Sequence, residues 1–186
     1  VNVHPGSSKN TMVNAALVAI EFNSMLPSAD TPRDTEEYEG FFHLDAMNGN
    51  VSTAMLDYII RDHDVASFDC RLKTMEHIAK ILNEKWGEGT VKLTITEQYR
   101  NMKEIIDTCM ELIDCATAAC KECGTPALIT PIRGGTDGAR LSFMGVPCPN
   151  LGTGGHAFHG PYEHITVEGM DIAVEVGLKI IELFYK

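Results

Sequence analysis

Residues 131–160, PIRGGTDGARLSFMGVPCPNLGTGGHAFHG, gather an arginine, two glycine clusters, a helix start and two histidines, and no other stretch is as rich in groups that bind or react. The apolar run 127–132 is expected to be a short strand. Gly134-Gly135 allows a tight turn, and Thr136-Asp137 caps a helix to about Met144. A strand, a glycine turn and a helix start expose the free N–H groups of a first helical turn to an anion, and Arg133 beside them can grip a carboxylate with two parallel bonds. The same residues also fit a plainer part, in which the glycines turn the chain and Arg133 pairs with a structural acid. His156 and His159 sit three apart in the second glycine cluster, a spacing that by itself suits a metal ligand or a surface position. His4, ahead of Pro5-Gly6, taken alone is a polar residue entering a turn.

Composition limits what these groups can serve. The chain has 186 residues, 44% hydrophobic and 22% charged, enough for one large domain or two small ones. Its net charge of -11, from 26 acidic against 15 basic residues, opposes a phosphate backbone, so nucleic acid is not an expected partner. No apolar run reaches the roughly 20 residues of a membrane span, and no charged-then-apolar leader opens the chain. A cytoplasmic location and no membrane partner are therefore expected. The chain starts at Val1 without a methionine, in what reads as the last residues of a strand, so a preceding segment is expected. Cys70, Cys109, Cys115, Cys120, Cys123 and Cys148 read as reduced, and the lone Cys120-Lys121-Glu122-Cys123 pair, with no second pair, receives no function.

The elements that must position the site follow from periodicity. Residues 9–26 carry apolar groups at Met12, Ala16, Ala19, Ile20 and Leu26 and read as a helix; the acidic, proline-bearing 27–37 is a loop. Runs 38–47 and 52–62 read as strands around an Asn48-Gly49 hairpin turn. A long helix spans 65–86, with Val65, Phe68, Leu72, Met75, Ala79, Leu82 and Trp86 on one stripe, and 91–99 alternates like a half-buried strand. The order β-α-β-β-α-β is ferredoxin-like, a four-stranded sheet with two helices on one face. Beyond residue 102 the pattern changes to a helix over 103–123, the strand 127–132, the helix from 136, a strand or loop at 146–151, the glycine-rich 152–160 and a last helix over 166–184. Its apolar set Val167, Met170, Ala173, Val174, Ile180, Ile181 and Phe184 has to be buried. So few strands cannot complete a parallel sheet, and this part reads as the tail of a larger doubly wound α/β domain.

Several runs carry a family likeness: Pro131-Ile132-Arg133-Gly134-Gly135-Thr136-Asp137-Gly138-Ala139, Leu141-Ser142-Phe143-Met144-Gly145, Pro147-Cys148-Pro149-Asn150-Leu151, Thr153-Gly154-Gly155 and Phe158-His159-Gly160. Upstream, Asn2-Val3-His4-Pro5-Gly6, Tyr58-Ile59-Ile60-Arg61-Asp62 and Tyr99-Arg100-Asn101-Met102 extend it. Together they resemble the di-zinc M20 metallopeptidases, in particular the tripeptide aminopeptidases among them, over essentially the whole chain. The resemblance implies that 1–102 is the lid and dimerisation domain, its first strand truncated, and that 103–186 is the C-terminal segment of the catalytic domain. It implies a tripeptide substrate, a homodimer and two zinc ions, with His159 the single zinc ligand supplied here. His4 is then the lid histidine that stabilises the oxyanion, and Asn101, Arg133 and Gly135 contact substrate. Lys103 stands where relatives often carry arginine, keeping the charge and losing the planar fork. His156 and the Glu163-His164 pair match no motif. The family's HxD motif, bridging aspartate and Glu-Glu pair with the general base belong before the lid; Asp57, Asp62 and Asp64 do not correspond to them. The chain alone is therefore expected to be inactive. Two other readings stay open: a non-catalytic lid and dimerisation module, and a phosphate or nucleotide site on the glycine turns, which lacks both GxGxxG and a P-loop lysine.

Overall fold

The computed structural model describes residues 1–98 and 100–185. Two compact units emerge, Val1–Glu97 with Pro131–Gly134, and Gln98–Thr130 with Gly135–Lys186. The class is mixed α/β with small antiparallel sheets.

In the first unit, a single 3-10 turn, Pro5–Ser7, precedes helix α1, Ala15–Ser24. The helix starts six residues later than periodicity suggests because Asn10 holds a left-handed φ of 62° and Asn14 is the cap, its side chain accepting from Ala16 N at 3.0 Å. Its buried face is Val18, Ala19 and Phe22, with Leu26 just beyond; Ile20, expected inside, is exposed. Strands β1 (Phe41–Gly49) and β2 (Ala54–Arg61) pair antiparallel, with Asp45 as an extra residue between the Leu44 and Ala46 rungs. The hairpin turns at residues 50–53 instead of Asn48-Gly49. Asn50 builds that turn by accepting from Ser52 N at 2.8 Å and Thr53 N at 3.2 Å. Gly49 remains in the ladder, where a Cβ would stand 2.7 Å from the Ala54 Cβ, so the signal marked a close strand approach and not the turn itself.

Helix α2, Val65–Trp86, is capped by Asp64, which accepts from Ser67 N at 2.8 Å, and it ends at Gly87 with φ 108°. Met75, Ile78, Ala79 and Leu82, one helical face, close the core against Val18, Phe22, Leu26 and Phe42. The edge of this core is tied by Arg71, whose Nε donates to Asp62 Oδ2 at 2.8 Å and whose guanidinium also holds Asp30 and covers the Phe42 ring. Glu21 on α1 accepts from Trp86 Nε1 at 2.9 Å and pairs with Lys85, which keeps its carboxyl below the usual range.

The four-stranded sheet expected for this unit is a two-stranded one among the described residues. Both flanking segments spend their backbone groups elsewhere. The amino terminus bonds Val13 O at 2.8 Å and Val1 O accepts from Val13 N. Asn83 supplies both partners of Val91, accepting from its N at 2.7 Å and donating to its O at 2.9 Å. The alternation at Val91 and Leu93 reflects packing on the core, which both residues touch without a ladder. Tyr99, the end of that expected strand and the first residue of the Tyr-Arg-Asn-Met motif, lies outside the described residues.

The second unit holds helices α3 (Lys103–Ile106), α4 (Glu111–Glu122), α5 (Asp137–Phe143) and α6 (Val167–Tyr185), with the two-residue strands β3 (Gly155–His156) and β4 (His164–Ile165). The expected helix 103–123 is broken between α3 and α4. Thr108 Oγ1 bonds Ile105 O at 2.7 Å and the backbone tightens to i→i+3 bonds there, Thr108 N to Ile105 O and Cys109 N to Ile106 O. Residues 127–132 form no strand, with Leu128 80% and Ile129 73% exposed. Helices α4 and α6 pack through the fully buried Ala119 and through Val176, and Cys115 Sγ reaches Ile180 O. The expected apolar stripe of α6 lies mostly on its open side: Val167, Val174, Ile181 and Phe184 are exposed, and Val176, outside that stripe, is the buried contact. No described strand of this unit is parallel to another.

Leu82 is fully buried and central to the first unit. Leu82→Ala should lower its stability by about 2–5 kcal/mol in urea unfolding, and a loss below about 1 kcal/mol would contradict the core described.

Candidate functional site

The cap expected at Thr136 is present. Its Oγ1 accepts from Ala139 N and from Asn150 Nδ2, each at 3.2 Å, so one hydroxyl fixes both the start of α5 and the loop that returns beside it. That return is tight: a Cβ on Gly138 would fall 2.6 Å from Cys148 O. Ser142, 2% exposed, completes it by donating to Gly138 O at 2.8 Å and accepting from Cys148 N at 3.0 Å. Gly135, exposed, immediately precedes the cap.

From this anchored loop the chain enters the β3–β4 hairpin, whose rungs are Gly155 with Ile165 and His156 with His164. Residues 157–163 form its tip. Ala157 and His159 both take left-handed φ values, 54° and 64°, unusual for residues with a Cβ. Two turn bonds, Gly160 N to Ala157 O and Glu163 N to Gly160 O, and one side-chain bond, His159 N to Glu163 Oε2 at 2.9 Å, hold that conformation. His159 is thus presented, exposed, from a strained tip that Glu163 braces. Sequence reasoning set Glu163 aside for want of a motif; its place four residues after His159 in a tight loop was the available signal.

His4 caps the Pro5–Ser7 turn, and its Nδ1 accepts from Gly6 N at 3.1 Å. An accepting Nδ1 carries no proton, so in the neutral ring Nε2 is the N–H donor. Asn101 Oδ1 accepts from Lys103 N at 2.8 Å at the head of α3, and Lys103 Nζ pairs with Asp107 at the surface.

Arg133 belongs to the first unit, and its described partners there are backbone and hydroxyl oxygens and not a structural acid. Its Nη1 donates to Thr35 O at 2.6 Å, and its Nη2 donates to Thr35 Oγ1 at 2.6 Å and Glu39 O at 3.1 Å. The guanidinium lies 5.0 Å over the Phe41 ring, and the buried Nε has no hydrogen-bond partner. This grip explains why Pro131–Gly134 join the first unit. Nearby, burial lowers the His63 pKa, the Arg133 charge adds to that lowering, and Asp62 opposes it. Of the residues read from the sequence, His4 and Arg133 lie in the first unit and Asn101, Gly135 and His159 in the second. Among the described residues, no three histidine, cysteine, aspartate or glutamate side chains gather as a metal cluster. No helix among them is long and apolar enough to cross a membrane.

The peptidase dimerisation domain of the M20 peptidases matches residues 1–90, and the remaining residues align with the same relatives. Over these residues the chain resembles the M20 peptidases. It is 52% identical over 185 residues to a peptidase T of Alkaliphilus oremlandii, covering all of this chain and 45% of that protein. A peptidase T of Clostridium perfringens is 53% identical over 183 residues, 98% of this chain and again 45% of the relative. The chain therefore spans about half the length of the curated relatives it matches. A tripeptidase structure from Staphylococcus aureus superposes with a TM-score of 0.70 at 19% identity, over 99% of this chain and 49% of that one. It shares the fold. The mixed α/β class and the M20 likeness expected from the motifs both hold.

Two outcomes test this geometry. Ser142→Ala leaves the Cys148 N–H without its acceptor and should cost about 1–3 kcal/mol in thermal or urea unfolding; no loss would mean that the loop is held otherwise. A depressed His63 pKa means that the unfolded chain binds this proton more readily. Stability is full above the ordinary imidazole range and falls as pH drops through it toward the lowered value. His63→Gln should make the stability profile between about pH 7 and pH 5 shallower, and an unchanged slope would assign the acid sensitivity to other groups.

Proposed function

We propose that this chain supplies the lid and dimerisation domain, residues 1–102, and the C-terminal segment of the catalytic domain, residues 103–186, of a zinc-dependent aminopeptidase that removes the N-terminal residue from tripeptides. The observation that carries this reading is identity above 50% to peptidase T over essentially all of the chain. The rest of the catalytic apparatus would come from sequence outside these residues. The exposed apolar side of α6, with Leu128 and Ile129, suits burial against it. Two copies would associate through the dimerisation domain, and the setting would be cytoplasmic.

Within that reading, His159 would be the zinc ligand this chain supplies, an exposed imidazole on a braced hairpin tip. Zinc, when bound, would supply Lewis-acid polarisation and an acidified water. The chain's own residues do the remaining work. His4, with Nδ1 occupied by Gly6 N–H, offers Nε2–H to the oxyanion that develops on the scissile carbonyl. Arg133, its Nη atoms engaged by Thr35 and Glu39 and its Nε buried, would reach a substrate carboxylate or carbonyl by giving up one of those bonds. Asn101 and Gly135 flank the segment that returns to Arg133 and would contact the peptide backbone. Glu163 holds the His159 backbone and is a positioning residue.

A non-catalytic reading, in which the chain is a lid and dimerisation module only, is favoured by one observation: the family match to residues 1–90 is to a dimerisation domain. Kinetics of the full-length protein that carries this chain separate the two. His159→Ala should abolish tripeptide hydrolysis. His4→Ala should lower kcat by about 10²–10³-fold with little change in KM. Wild-type activity in either variant, or none in the parent protein, overturns the catalytic reading.

A further inference from the structure

His156 and His164 face each other across the last rung of the β3–β4 hairpin, their ring centroids 5.3 Å apart and their planes at 26°. Both side chains are exposed. His164 Nδ1 lies 2.8 Å from Tyr162 O. A carbonyl oxygen can only accept, so Nδ1 holds the proton and Nε2 keeps its lone pair. Metal-bound histidines are held in this way, one ring N–H anchored on a backbone carbonyl and the other nitrogen open to the ion.

We propose that His156 and His164 form a cross-strand two-histidine site for a late first-row divalent metal such as zinc, nickel or copper, with water completing the coordination. Imidazole nitrogen suits these ions, and the absence of a carboxylate in the pair disfavours magnesium and calcium. The spacing agrees. Zinc–nitrogen bonds of about 2.0–2.1 Å meeting at a tetrahedral angle place two imidazole centroids about 5.2 Å apart. The observed 5.3 Å matches that separation, and turning the two rings from their stacked arrangement about the side-chain bonds would bring both lone pairs onto one ion. Because the two ligands lie on paired strands, the second bond forms at high effective concentration once the first has formed. The one neighbouring carboxylate described at the tip, Glu163, is engaged by His159 N.

The test is a zinc titration of the ¹⁵N-labelled chain, followed through the imidazole nitrogens by NMR. His164 Nε2 and one nitrogen of His156 should move together and saturate with one Kd. His156→Asn and His164→Asn should each weaken that Kd about tenfold or more, with far-UV circular dichroism unchanged because both positions are exposed. His159→Ala should leave it within about threefold, since the chelate does not use that ring. The proposal is overturned if all seven histidines respond alike, if either Asn variant keeps the parent affinity, as binding at the cysteines would allow, or if the affinity is lost with His159. A stacked pair that binds no zinc overturns it equally.

Discussion

Backbone N–H and C=O groups need partners, and at several points where regular ladders end this chain supplies them with side chains. Asn14 starts α1, Asn50 closes the hairpin, Asn83 holds Val91, Thr136 and Ser142 bind the loop beside α5, and Glu163 fixes the tip that carries His159. Each short polar residue converts a stretch with no strand partner into one defined conformation. The apolar faces of α1, α2 and β1 can then close on one another, because the segments joining them leave few polar groups unmet. The buried, unpartnered Nε of Arg133 is an exception, at a residue the family resemblance already marked.

This pattern explains what was legible from sequence and what was not. Long periodic elements were readable: α2 and α6 lie within a residue or two of their expected bounds, because 22 and 19 residues carry enough apolar repeats to fix both type and place. The Thr136 cap was readable too, since a cap is a local arrangement. The outer strands of the first unit were not, because alternation at Val91 and Leu93 reports contact with the core and says nothing of who takes the backbone bonds. Asn48-Gly49 misled for a related reason: the glycine serves strand approach, while Asn50 makes the turn. The apolar run 127–132 lacks a neighbouring strand among the described residues, and hydrophobicity alone cannot supply one.

The residues singled out for chemistry divide in the same way. His4, Arg133 and His159 were found through motif resemblance, and the geometry adds what a motif cannot carry: which nitrogen of His4 donates, what occupies the Arg133 guanidinium, and how the His159 backbone is strained and braced. Glu163 and His164 matched no motif in the sequence, because their parts depend on a hairpin only two rungs long. Arg133 links the fold to the proposed chemistry most closely, since its bonds to Thr35 and Glu39 bring Pro131–Gly134 into the first unit.

The measurement that bears most directly on the central claim is product identification by mass spectrometry after incubating the full-length protein with a tripeptide of three different residues. The account predicts release of the N-terminal amino acid and the intact C-terminal dipeptide, stopped by a chelator and restored by zinc. Release of the C-terminal residue, cleavage that persists in chelator, or an untouched tripeptide would contradict it.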